Sequence, residues 1–146
     1  MQPLTYYLQF TRPAGASADT CATAEGVQIT TTISDDGIGA QRRPLPGVKA
    51  QLQNQVKIID PETFDEWGKI VFGNEDNWVA FKTIGVGYLR DNADAKYKVG
   101  TVMWHITGGS GFFKGASGSI VSNFLIDLKT NELIDNHVGI IYIPAT

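Results

Sequence analysis

From Val48 to Asp60 the chain alternates over an unusual length, with Val48, Ala50, Leu52, Asn54, Val56 and Ile58 on one face and Lys49, Gln51, Gln53, Gln55 and Lys57 on the other. A period of two is the mark of a β-strand with one dry and one wet face. In a helix the same residues would be scattered around the circumference. Asn54 interrupts the dry face, where a buried amide without partners costs about 1–3 kcal/mol. It is therefore either satisfied within the structure or directed at a ligand.

The pattern recurs along the chain. Leu4, Tyr6, Leu8 and Phe10 alternate with Thr5, Tyr7, Gln9 and Thr11, and Val27, Ile29, Thr31 and Ile33 form a β-branched run ending at the turn Asp35-Asp36-Gly37. An acidic turn from Asp60 to Glu66 leads to a short strand, Trp67 to Gly73, with Ile70 and Phe72 on a common face. Trp78 to Arg90 is partly apolar on both faces, so it needs cover on both, which predicts a filled interior and a homo-oligomer, dimer or trimer. In Val99 to Ile106, periodicity does not decide whether Met103 and His105 or Val102 and Trp104 face inward. The aperiodic Arg12 to Gly26 reads as a long loop with the length of a lid, and Gly39 to Gly47 as a crossing loop because of Pro44 and Pro46, with Arg42 and Arg43 a solvated pair. The count comes to about eight strands and no helix, which predicts an all-β fold. An eight-stranded antiparallel barrel leaves room for one small ligand.

Between the last strands lies Thr107-Gly108-Gly109-Ser110-Gly111-Phe112-Phe113-Lys114-Gly115-Ala116-Ser117-Gly118. The run lacks the Gly-Lys-Ser/Thr ending of a phosphate loop and the helix of a dinucleotide fingerprint. Gly-Gly-Ser-Gly-Phe-Phe-Lys-Gly-Ala-Ser-Gly resembles the glycine-rich segment of plant allene oxide cyclases and, more loosely, of dirigent proteins. Val56 to Thr63, followed by Gly68 and Gly73, resembles the opening strands of the dirigent barrel. The resemblance implies an eight-stranded barrel whose cavity steers cyclisation or coupling of a small apolar molecule without a cofactor. Of the dirigent pocket's aspartate and arginine, only Asp60 stands in matching context. Cys21 and Glu25 have no matching neighbours, so the cyclase pocket's cysteine and glutamate roles are not transferred to them.

The chain has 146 residues, 42% hydrophobic and 18% charged, with a net charge of −3, which fits one domain over 1–146 and offers no basic face for nucleic acid. No segment is apolar enough to span a bilayer and the N-terminus lacks a signal-peptide pattern, so a cytoplasmic protein without membrane attachment is expected. A lone Cys21 fits a reducing compartment and reads as a small loop residue, not a nucleophile. The acidic turn lacks the spacing and central glycine of a calcium loop, so no metal site is expected.

For the final hairpin, a turn at Lys129-Thr130-Asn131 with a bulge near Glu132 would pair Phe124 with Val138, Ser122 with Ile140 and Ile120 with Tyr142. That register places Asn136 and Tyr142 inward and sets Asp127 against Asp135 on the outside, with His137 at the surface or an interface. The expected cavity is apolar, with Asn54, Trp78, Trp104, Ser122, Phe124, Asn136 and Tyr142 contacting the substrate and Asp60, Tyr88 and His105 as catalytic candidates. The expected activity is that of a cofactor-independent cyclase or isomerase acting on an apolar natural-product or lipid intermediate, with pericyclic cycloaddition among the reactions admitted. The alternative is a barrel that binds a hydrophobic ligand without chemistry.

Overall fold

A computed structural model describes residues 2–17 and 20–145, without the side chains of residues 2, 26–32 and 42–48. The Val27 to Thr31 alternation, the Arg42-Arg43 pair and the inward placing of Val48 lie outside the described side chains. The strands are β1 (Gln2–Arg12), β2 (Ala22–Ser34), β3 (Gly37–Asp60), β4 (Thr63–Phe72), β5 (Trp78–Thr83), β6 (Gly87–Asp91), β7 (Lys98–Ser110), β8 (Ser117–Ile126) and β9 (Leu133–Ile143). They form a closed eight-stranded antiparallel barrel, β1-β2-β3-β4 continuing through β5 to β7, β8 and β9, which pairs back with β1. Among the described residues no helix is long and apolar enough to cross a membrane.

Nine segments make eight staves because β5 and β6 share one position. Both pair with β4 on one side and β7 on the other. Trp67 faces Lys82 but Phe64 faces Gly87, so three steps along β4 match five along the broken strand. The surplus bulges at Ile84-Gly85-Val86, with Gly85 at φ 69°, a left-handed conformation that favours glycine.

The chain from Gly39 to Gly47 is strand, not the crossing loop expected from its prolines. It pairs only with β2, since β3 meets β4 first at Ala50. A proline without an N–H to donate is tolerated where the other edge is free. The loop expected over Arg12 to Gly26 is likewise shorter, because β2 already begins at Ala22.

Along β7 the inward set is Val102, Trp104 and Ile106, all buried, which leaves Met103 and His105 exposed on the outside. Trp104 stacks on Phe81 at 4.1 Å between centroids and, with Leu8, Phe10, Ile70 and Ile120, fills the barrel's middle. The glycine-rich run closes one end. After β7 a single 3-10 turn, Gly111–Phe113, folds inward so that buried Phe113 packs on Phe72 at 4.9 Å. Gly111 at φ 60° leaves no room for a Cβ, which would lie 2.2 Å from Asn77 Oδ1. That oxygen accepts the Phe112 N–H at 3.0 Å and ties the plug to the neighbouring turn.

The final hairpin has a different register from the one expected. Phe124 pairs with Asp135 instead of Val138, and Ser122 with His137 instead of Ile140. An offset of three residues is odd, so all of β9 turns over. Asp135, His137 and Ile141 are buried, whereas Asn136 is only partly buried on the outer side and Val138, Ile140 and Tyr142 are exposed. The cause is the turn. Asp127 donates its N–H to Glu132 O, Asn131 donates to Asp127 O from a left-handed conformation, and the Asp127 carboxylate accepts the Lys129 N–H. Asp127 thus belongs to the turn and never opposes Asp135.

Candidate functional site

The end opposite Phe113 opens into a cup of about 290 Å³. Its walls are apolar side chains from alternate strand positions, chiefly Leu52, Phe64, Leu89, Phe124, Ile126 and Leu133. Arg12 and the exposed Ile58 and Leu128 stand at the rim, and Asn54, Glu66 and Asp135 supply the polar groups. Space is kept by glycines on the inner face. A Cβ on Gly100 would lie 2.1 Å from the Phe124 ring, and one on Gly87 would lie 2.3 Å from the Phe64 ring. Each ring therefore lies over its cross-strand glycine, along the wall and not across the opening.

Glu66 is the central titratable group. Its side chain points inward from β4 and the residue is only 6% exposed. Burial pushes its pKa from 4.5 up to about 8, opposed by the hydrogen bond from Asn54 and reinforced by the negative charge of Asp135. Asn54 Nδ2 donates to Glu66 Oε1 at 2.6 Å. Asn54 itself is exposed, as are Val56 and Ile58. The face of β3 expected to be dry is therefore buried at Ala50 and Leu52 but open to water beyond them, and the amide orients the carboxyl from the open side of the cup. The backbone is held from across the strand break. Thr83 Oγ1 accepts the Glu66 N–H at 2.8 Å and donates to the Glu66 carbonyl at 2.7 Å, bridging where the β5 ladder gives way to the bulge. At neutral pH a protonated Glu66 can donate a hydrogen bond, or a proton, to a ligand oxygen.

Behind it lies a second polar cluster. Ser122 Oγ donates to Asp135 Oδ1 at 2.5 Å, and His137 Nε2 lies 2.9 Å from Asp135 Oδ2. The second contact is close but poorly aligned, so neither His137 nitrogen makes a hydrogen bond among the described residues. His137 is wholly buried between Phe10, at 4.5 Å, and Trp104, at 4.9 Å. The Tyr6 hydroxyl is buried without a partner among the described residues, and burial, with Asp135 nearby, raises its pKa above the usual phenol range. The Trp104 indole N–H favours the Glu66 carboxylate without forming an aligned bond. Ser122 donates to the aspartate and not to the histidine, so this is not the arrangement that activates a serine nucleophile.

Of the residues expected at the site, Asn54 and Phe124 line the cup, while Ser122 and Trp104 are buried beneath it. The others do not join them. Asp60 is exposed and accepts the Glu62 N–H of its own turn, which with Thr63 lowers its pKa. Tyr88 lies outside beneath Arg90, and His105 is exposed on the outer face of β7. Trp78 lines an outer groove with Trp67 and Lys69. Asn136 and Tyr142 are on the outer side of β9, where Asn136 Oδ1 accepts from Tyr7 and Gln9. Sequence reasoning missed Arg12, Glu66, Asp135 and His137. Extending the parity of Ile70 and Phe72 back through Gly68 would have placed Glu66 and Phe64 inward.

Among the described residues no group of three or more His, Cys, Asp or Glu side chains is placed to hold a metal ion. No protein-family model, curated protein or solved structure matches the chain.

Proposed function

We propose that this barrel is a cofactor-independent cyclase or isomerase, of the allene oxide cyclase or dirigent kind, that folds a small apolar molecule inside the cup and directs its ring closure. The observation that carries the reading is Glu66, a carboxylic acid kept neutral by burial at the base of an apolar cavity and oriented by Asn54. Such an acid can hydrogen-bond a substrate carbonyl and stabilise the negative charge that gathers on its oxygen as bonds rearrange. The walls at Phe64, Phe124, Leu52 and Leu133 hold the reacting ends near one another, which supplies acceleration through orientation alone. Asp135 lies close enough to Glu66 to raise its pKa and is a second carboxyl group lining the cup.

The assembly belongs to the same proposal. Met103, Val121 and Val138 stand in one row across β7, β8 and β9 on the outer face, with Ile140 and Tyr142 beside them. Four of these five are exposed, and a second copy of the chain would cover the patch in a homo-oligomer.

The test is to extract the purified protein with organic solvent, identify any co-purified small molecule by mass spectrometry, and follow its conversion by wild type and Glu66→Gln. The expected result is turnover that falls about 10²–10⁴-fold in the variant with binding retained. Binding without turnover by the wild type would replace this reading with that of a carrier.

A further inference from the structure

We infer that the ligand of the cup carries one anionic head group, a carboxylate or an acidic enol, which is held at the rim by Arg12 while its apolar body points inward. The inference rests on the reading of the cup as a ligand site and adds the polarity of what enters it. Arg12 projects from the end of β1 and lines both the cavity and the outer groove beside Thr20 and Cys21, so it stands where the two meet. Its Nε donates to Asn131 O at 2.7 Å and Nη1 to Thr20 O at 3.4 Å, which fixes the guanidinium between two loops. Both acceptors are neutral carbonyls. Among the described residues no carboxylate forms an ion pair with Arg12 and no hydrogen bond engages Nη2. A cation partly withdrawn from water, immobilised, and left with a donor unengaged at the edge of a cavity is complementary to an oxyanion.

The other end of the cup rules out the reverse orientation. Glu66 and Asp135 are buried and crowd each other electrostatically, so an anion at the base would meet a carboxylate with little water to screen it. A neutral acceptor, such as a carbonyl oxygen, suits a protonated Glu66 there. The cup therefore has two polar spots of opposite preference, an anion at Arg12 and an uncharged oxygen at Glu66, with Arg12 paired to Leu133 and Asp135 two residues along on that face of β9. A volume of about 290 Å³ lies at the small end of ligand cavities and fits a compact amphiphile.

The experiment titrates the full chain with decanoate, decanol and decylamine, and with a 2-acylcyclohexane-1,3-dione as the acidic enol, using isothermal calorimetry. Decanoate is expected to bind about tenfold more tightly than decanol, the worth of a charge-assisted hydrogen bond. Arg12→Gln is expected to abolish that difference by weakening decanoate far more than decanol, and Arg12→Lys to restore part of it. Circular dichroism and thermal unfolding like those of the wild type show that Arg12→Gln has kept the barrel. Preference of the enol over decanoate would assign the head group to the enol class, and the opposite order to carboxylates, with the anion site upheld in both cases. Equal binding of decanoate and decanol by the wild type, or tightest binding of decylamine, would overturn the anion site and leave the cavity reading standing. Absence of binding by all four would overturn both.

Discussion

Asn54 and Glu66 meet across neighbouring strands, Nδ2 donating to Oε1 at 2.6 Å, and this contact joins an exposed amide on β3 to the buried glutamate on the inner face of β4. It also sets a pH dependence. Glu66 has a pKa near 4.5 when exposed in the unfolded chain and about 8 in the folded one. A raised folded pKa stabilises the protein fully below about 4.5, and that contribution is lost as pH rises through about 8. Glu66→Gln cannot ionise, so its stability should stay flat relative to wild type over that window. Denaturant titrations across it should show the wild type losing on the order of a few kcal/mol against the variant by the alkaline end. Parallel curves for the two proteins would mean that Glu66 is ionised throughout.

Gly100 tests whether the cup is kept open by its aromatic walls. An added Cβ would lie 2.1 Å from Phe124 Cζ, so Gly100→Ala must push the ring off the wall and into the cavity. The expected cost is about 1–3 kcal/mol in stability together with weaker binding of decanol. Phe124→Leu in the same chain should restore part of the stability, since a smaller side chain can yield. A double variant no more stable than Gly100→Ala would place the strain in the backbone instead.

The strands were legible because alternation is a local property, written residue by residue at Leu4 to Phe10 and Ala50 to Ile58. The site was less so, because which face of a strand lies inside depends on pairing, and pairing depends on turns. One turn at Asp127 to Glu132 moved His137 and Asp135 from the surface to the core and Asn136 and Tyr142 the other way. Side-chain capping by Asp127 and the left-handed Asn131 set that turn, and neither is visible in hydrophobic pattern. Glu66 was hidden for a different reason. Its neighbours Asp60, Glu62 and Asp65 made the segment look like an acidic turn, although Phe64, Glu66, Ile70 and Phe72 share one parity.

His137 should behave as a core residue. It is wholly buried against Phe10 and Trp104, with Asp135 2.9 Å from Nε2. His137→Ala removes the ring and leaves Asp135 with Ser122 as its remaining close partner, at a cost of about 3 kcal/mol from the cavity. Thermal or denaturant unfolding measures it. A loss below about 0.5 kcal/mol, the range of surface substitutions, would restore the outward placing of this side chain.

The outer face of β7 to β9 decides the assembly. Val138 pairs with Val121, and Val121 with Met103, so these side chains stand in register on the side away from the core. A charge set in the middle of a buried apolar interface costs far more than one in water, whereas the same change on a free surface costs little. Val138→Asp should therefore lower the oligomeric state seen by light scattering after gel filtration, with the monomer still folded by circular dichroism. Gln51→Glu, exposed on β3, which pairs with β2 and β4 and not with β7 to β9, serves as the control and should leave the assembly unchanged. A wild type that elutes as a monomer at all concentrations, or a Val138→Asp variant that keeps the native assembly, would remove β7 to β9 as the contact face and leave its exposed apolar row without a partner.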